Sequence, residues 1–385
     1  MKKVGVALLS LVFLLASCGT SAASTTSASH TPLKIGLLYE ATGAFSYFGI
    51  DSLDAAQLWV KQVNAKGGVA GHKVQLITYN TATNPTQAVE GYKYLASQHV
   101  AAIVGPGSLA EFEAVAPIAT SGPVLYTTCG ICIPKGLLQF AGVILSGPLE
   151  AYALSQLHKA GINKVAFLST NDATGETSYP PFAEAAKALG MDITATQYFD
   201  TTSVDVTTQL TKIMATHPQA IDIWTAGEPT VVAFQGLHAL GINVPVITCD
   251  CNLIPSLLGL LQKRGILPSQ LYIPITPDLA YNTLPSSYPE KAKIESFDKA
   301  YEAQFGSQPG LSSGTTYDAL SLIALGVEKS HSLNPVKIAE AMQQIHGYVG
   351  LQGIYNFSPT QHRGVGESDA VLVKIVNGKP EYASL

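Results

Sequence analysis

Five cysteines are the residues with the most conspicuous chemistry in this 385-residue chain, and four of them fall in two close pairs. Cys129 and Cys132 lie in "YTTCGICIPKG"; Cys249 and Cys251 flank Asp250 in "ITCDC". Such spacings admit a redox dithiol, half of a metal site, or a local disulfide. A dithiol of the thioredoxin type needs its first cysteine at a helix N-terminus, where the dipole lowers the thiol pKa. The run after Cys129 starts no helix, because Ile133-Pro134 and Gly136 break any apolar period. Four thiolates can hold zinc tetrahedrally, but a CxC is a poor match for the paired CxxC of zinc ribbons. In an oxidising compartment Cys129 and Cys132 can form a tight local disulfide, whereas a Cys249 to Cys251 bond closes a small, strained ring. The nine histidines show no HxxxH spacing. Nucleophile-elbow, P-loop and Gly-x-Gly-x-x-Gly patterns are also missing, so the sequence points away from an enzyme, and no metal or cofactor is expected.

The N-terminus sets the compartment. "MKKVGVALLSLVFLLASCGT" has two lysines, a short apolar run and small residues leading into Cys18, as an export signal does. Leu15-Ala16-Ser17-Cys18 resembles a bacterial lipobox, which implies lipidation of Cys18 and removal of residues 1–17. A diacylated cysteine is a firm anchor, and residues 18–31 are too polar and small to bury, so they read as a flexible tether. The expected location is the outer face of the cytoplasmic membrane. Losing Lys2 and Lys3 takes the formal charge from −5 to −7, with the basic residues scattered, so no nucleic-acid partner is expected.

From Leu33 onward, strand-like runs ("LKIGLLYE", "HKVQLITYN", "VAAIVGP", "GPVLYTT") alternate with amphipathic segments at helical spacing. The alternation restarts with "NKVAFLSTN", "DITATQYFD", "AIDIWTAGE" and "VPVITCD". Two βαβ series predict an α/β protein of two doubly wound parallel-sheet lobes, with ligand sites outside the carboxyl ends of the strands. The last third predicts three helices, a short strand "GIYNFSP", and a hairpin "AVLVKIVNGKPEY" turned by Asn377-Gly378.

"IGLLYEATGAFSYFG", "VNAKGGVAGHKVQLITYNTATNPTQAV", "AAIVGPGS" and "GLQGIYNFSPTQHR" resemble, in that order, segments of the periplasmic-binding-protein type I family. The branch in question contains the Leu/Ile/Val and amide receptors of ABC importers. The resemblance implies a ligand closed between two lobes that are joined by three crossovers. Lobe 1 would take residues 32–146 and 276–352, and lobe 2 residues 147–275 and 353–385. It further implies binding of a small polar ligand, an amino acid, short amide or related organic acid. The implied partner is a membrane permease of the ABC type, and the protein itself is expected to be a monomer.

The resemblance also places ligand contacts. Phe48 matches an aromatic that walls the cleft, with Tyr47 able to substitute. Ser108 matches a carboxylate contact, but Leu109 stands where relatives have a second serine, which puts the full carboxylate clamp in doubt. The next contact group falls on Thr127, Thr128, Cys129 and Gly130. On lobe 2 the matches are Thr174, Glu228 and Asp250, the last where amino-acid receptors set an acid against the ligand's ammonium. Both cysteine pairs would then lie at strand ends beside the cleft. Two other roles fit the same residues: a ligand sensor of this fold signalling to a membrane partner, or a metal- or thiol-handling protein using the four cysteines.

Overall fold

The computed structural model describes Met1 and residues 31–385; Cys18, and with it the expected signal and tether up to residue 30, lies outside the described residues. The first half of the chain runs β1 (Leu33–Tyr39), α1 (Ser46–Ala65), β2 (Val74–Asn80), α2 (Pro85–Ser97), β3 (Ala102–Val104), α3 (Leu109–Val115), β4 (Val124–Thr127) and β5 (Gln139–Ala141). These strands form a parallel sheet in the order β2-β1-β3-β4-β5. Helix starts follow local chemistry: Asn84 accepts the Thr86 and Gln87 N–H groups, and Pro85 occupies the first helical position, where no N–H is needed.

The alternation then restarts with α4 (Ser146–Lys159), β6 (Lys164–Thr170), α5 (Ala173–Leu189), β7 (Asp192–Phe199), α6 (Thr207–Met214), β8 (Ala220–Trp224), α7 (Glu228–Ala239), β9 (Val246–Thr248), α8 (Pro255–Arg264) and β10 (Leu271–Ile275). After three further helices, α9 (Lys291–Phe305), α10 (Ser313–Ser330) and α11 (Pro335–Met342), come β11 (Tyr348–Val349), β12 (Ile354–Tyr355), β13 (Val371–Val376) and β14 (Lys379–Ala383). The second sheet has the order β14-β13-β10-β9-β8-β6-β7, with β13 and β14 antiparallel at one edge. Asn377 and Gly378 both have positive φ in the β13–β14 turn, the conformation that a tight hairpin of right-handed twist requires.

Helix α10 covers the first sheet. Its Leu320 and Ile323 pack with Leu33, Ile35 and Leu37, and the Trp59 indole donates to Ser321 Oγ at 2.9 Å. Burying side chains of this size contributes about 1.5–3 kcal/mol each before the entropy of ordering them is counted. The second sheet is buried against α4 and α5 through Leu154, Phe167, Phe182 and Ile247.

The expected division put residues 353–385 with the second unit, and residues 354–365 depart from it. The Ala141 N–H donates to the His362 carbonyl at 2.9 Å and Tyr355 Oη donates to the Gly142 carbonyl at 3.1 Å. The Phe140 ring stacks on His362 at 4.4 Å, and the Arg363 guanidinium donates to the carbonyls of Val143 and Cys132. Edge strand β5 needs cover for its apolar face and its free backbone groups, and this segment supplies both. The chain joins the second sheet only at β13.

Candidate functional site

The loops after β1, β3 and β4 converge. Gly105 has φ +92°, and a Cβ there would collide with the Leu38 carbonyl, so only glycine lets this turn lie against β1. A cis Gly105-Pro106 bond follows. The Pro106 carbonyl accepts the Thr127 hydroxyl at 2.8 Å and the Thr128 N–H at 3.3 Å, which locks the two turns together. The Cys129 N–H goes to Thr127 Oγ1 at 3.2 Å. Of the residues carried to this place, Thr127, Ser108 and Cys129 are buried, Thr128 and Gly130 are half-buried, and Leu109 is exposed.

Two acids lie under these turns. Glu40, 2% exposed at the end of β1, accepts the Gly107 N–H at 2.8 Å. Glu111, fully buried in α3, accepts the Ser108 hydroxyl at 2.6 Å, and its own N–H points back to Ser108 Oγ at 3.4 Å. Burial, followed by the hydrogen bond and the charge of Glu111, pushes the Glu40 carboxyl up to about 8. Neither acid figured among the expected site residues. The Ser-x-x-Glu spacing of residues 108–111 is a helix-start signature that marks Glu111; nothing local marks Glu40.

Beside them, at the start of α1, Phe45, Tyr47 and Phe48 form an aromatic group, with ring centroids 5.6 Å apart for Phe45 and Phe48 and 4.2 Å for Tyr47 and Phe48. Tyr47 is exposed and Phe48 half-buried. Burial raises the Tyr47 phenol, and the charges of Asp250 and Asp51 raise it further. Asp250 belongs to the loop after β9 in the second sheet, so these residues from the two sheets lie within electrostatic reach.

Asp250 opens a single helical turn, Asp250–Asn252. Burial pushes its carboxyl up to about 6, against the pull of the Cys251 N–H. Asn252, which went unnoticed in the sequence, holds this turn: its amide donates to the Thr225 carbonyl at 2.6 Å and Thr248 Oγ1 at 2.9 Å, and its carbonyl accepts from Thr230 at 3.1 Å. Thr174 is half-buried near the start of α5, its N–H on Asp172 Oδ1 at 3.1 Å. Glu228 is exposed at the first turn of α7. The structure gives no direct contact that gathers Thr174 or Glu228 with Asp250.

Both cysteine pairs are disulfides, Cys129–Cys132 with Cα atoms 5.4 Å apart and Cys249–Cys251 at 5.2 Å. In that state neither pair has a thiolate to offer a metal or a redox partner. Among the described residues no group of three or more His, Cys, Asp or Glu is arranged to hold a metal ion. A cavity of about 380 Å³ lies outside the Cys129–Cys132 turn, lined by Ile133, Leu137, Gln343, His362 and Arg363 among others. No residue carried over as a ligand contact lines it.

A family model described as periplasmic binding protein matches residues 32–380. The chain belongs to the periplasmic binding protein family. Among curated relatives, the leucine-, isoleucine-, valine-, threonine-, and alanine-binding protein of Pseudomonas aeruginosa is 22% identical over 323 residues, covering 81% of this chain and 82% of that protein. Among solved structures, an extracellular ligand-binding receptor from Rhodopseudomonas palustris superposes with a TM-score of 0.75 at 21% identity, over 92% of this chain and all of that one. The branched-chain amino acid transporter substrate-binding protein LivJ from Streptococcus pneumoniae, solved with isoleucine, gives 0.73 at 21% identity over 92% of this chain and 100% of that one. These likenesses establish the type I fold. In this periplasmic binding protein the loops after β1 and β9, each at a strand's carboxyl end where doubly wound sheets place ligand sites, come within electrostatic reach at Tyr47 and Asp250.

Proposed function

We propose that this periplasmic binding protein is an exported, monomeric solute-binding lipoprotein, anchored through Cys18, that delivers a small polar ligand to an ABC permease. The ligand class is an amino acid, as the names of two relatives suggest, or a short amide or related organic acid. One lobe comprises residues 32–146 and 276–365, the other residues 147–275 and 366–385. Contacts to both lobes at once favour the closed form, whose shape the permease reads. The protein binds and releases its ligand without chemistry on it.

The observation that carries this reading is the approach of Asp250 to Tyr47, an acid from one sheet beside an aromatic group from the other. Tyr47, Phe48, Thr128, Cys129, Gly130 and Asp250 are the proposed contacts, with Ser108, Leu109, Thr174 and Glu228 around them. Native mass spectrometry of protein purified without refolding, followed by a thermal-shift panel, tests the reading. A bound small molecule, or one that raises the unfolding midpoint by several degrees, is the expected result. A Cys18→Ser variant should leave the membrane fraction; if the wild type is itself free of lipid, the anchoring fails.

A further inference from the structure

The two acids under the first-lobe turns bear on what the cleft accepts. A carboxylate ligand there needs hydrogen-bond donors, as backbone N–H groups and hydroxyls provide. Here four of those donors are directed inward. The Ser108 hydroxyl goes to Glu111, the Gly107 N–H to Glu40, the Thr128 N–H to the Pro106 carbonyl and the Cys129 N–H to Thr127. What lies behind the turn is acidic. Glu111 helps to raise the Glu40 carboxyl, and Glu111 Oε1 is buried without a hydrogen-bond partner. A Cβ placed on Gly107 would stand 3.4 Å from both Glu40 Oε2 and Thr128 Oγ1, so the acid and the hydroxyl flank one α-carbon. From the other sheet, Asp250 acts on Tyr47 of the aromatic group. A ligand carboxylate about 8 Å from one uncompensated charge, at an effective dielectric constant of 20, is disfavoured roughly thirtyfold.

We propose that Glu40 and Glu111 are specificity-determining residues that occupy two of the anion-binding donors of the first-lobe turn, the Gly107 N–H and the Ser108 hydroxyl. The cleft then selects a ligand whose end at that turn is an amine or a primary amide and not a carboxylate. This rests on the reading of the cleft given above. Thr128 Oγ1 is the acceptor for such a group, the aromatic trio suits a cationic or apolar body, and Asp250 meets a second donor from the other lobe.

The test is a panel of matched triplets, each a free acid, its primary amide and the corresponding amine on one two- to six-carbon skeleton, with leucine and leucinamide added. Binding to the full mature protein at pH 7 is followed by thermal shift and calorimetry. Amides or amines should bind at least tenfold more tightly than their matched acids. Glu40→Gln and Glu111→Gln, made singly and together, should narrow that ratio to about threefold or less. Acids that bind as well as their amides would overturn the inference and leave the solute-binding reading standing. If no member binds and no small molecule co-purifies, that reading falls and takes the inference with it. Should the variants fail to fold, the wild-type ratio still decides.

Discussion

Asp250, at the end of a second-sheet strand, lies close enough to Tyr47, on the first helix, for its charge to raise the phenol's pKa. A residue that is partly desolvated, charged and opposed to an aromatic group from the other sheet is suited to hold a donor group between them. Asp250→Asn should weaken binding of the cognate ligand by about tenfold or more, the cost of about 1.5–3 kcal/mol typical of a hydrogen bond to a charged group. The unliganded midpoint should not fall, since burial already penalises the charged carboxyl, and calorimetry on both proteins reads the difference in affinity. Burial holds the Asp250 carboxyl up to about 6, so affinity for a cation should fall as pH drops through that value. Affinity independent of both the substitution and pH 5–7 would remove Asp250 from the site.

A second acid pair sets the stability profile. Glu150 on α4 and Asp222 in the middle of β8 are 0% and 2% exposed, and none of their four carboxyl oxygens has another hydrogen-bond partner. Among the described residues the only charged group acting on either is the other acid, and no cation faces them. Burial pushes Asp222 up to about 8, and burial with the charge of Asp222 pushes Glu150 well above the ordinary range. Both folded pKa values exceed the unfolded ones, so between about pH 4 and 8 the native state holds protons that the unfolded chain releases. Stability therefore falls as pH rises through that window, by roughly 1.4 kcal/mol per pH unit for each withheld proton. Asp51, Asp278 and Asp298, each pushed up to about 7 chiefly by burial, act in the same direction. The unfolding midpoint should be higher at pH 5 than at pH 8.5, and Asp222→Asn should shrink that gap. A midpoint that is flat or rises over this range contradicts the assignment.

Much of the fold is legible because hydrophobic period reports which face an element buries. The two runs of strand alternation, the three late helices and the Asn377-Gly378 hairpin all stand where the pattern puts them. Period says nothing about which side chains meet across elements. Glu40 ends the run "LKIGLLYE" like any solvated acid, and only the return of the 105–108 turn places it beside Glu111. Asp222 interrupts an otherwise apolar strand, "AIDIW", and the sequence does not show that its partner is another acid from α4. Residues 353–385 fall to the second unit only through the family resemblance, which puts the third crossing at "GLQG". The attachment of residues 354–365 to β5 depends on His362 and Arg363, whose partners are more than 200 residues away. The turn around Cys129 was legible as a place of interest, yet the bonds that fix it run to Pro106 and Thr127.

The disulfides give a third prediction. Cys129–Cys132 closes a loop of four residues, for which the loop-entropy account predicts stabilisation of about 2 kcal/mol. A Cys129→Ser, Cys132→Ser double variant should lose no more than that in a denaturant titration. It should lose more in affinity than in stability, because the Cys129 N–H belongs to the turn at the cleft. Thiol titration of the native mature protein should find no reactive thiol, and four after reduction in denaturant. Four free thiols before reduction would restore the metal- and thiol-handling alternative.

The last prediction concerns the passages between the sheets. Asp318, fully buried on α10, accepts the Leu351 N–H at 2.6 Å, the Gln352 N–H at 3.0 Å and the Tyr355 hydroxyl at 3.1 Å through a single oxygen, with Lys293 Nζ 3.7 Å from the other. Gln352 extends the network by donating to Asp278 at 3.2 Å and accepting from Thr315 at 2.8 Å. One carboxylate thus ties α10 to residues 351–355 and, through Gln352, to the segment that follows β10. Asp318→Ala leaves two backbone N–H groups and a hydroxyl buried without that acceptor, a loss of about 3 kcal/mol or more. Gln352→Ala should cost about 1–2 kcal/mol. Because the two side chains share a network, the double variant should lose less than the sum of the single losses, with a coupling of at least about 0.5 kcal/mol. Strict additivity in urea melts would show that Asp318 and Gln352 act as separate anchors.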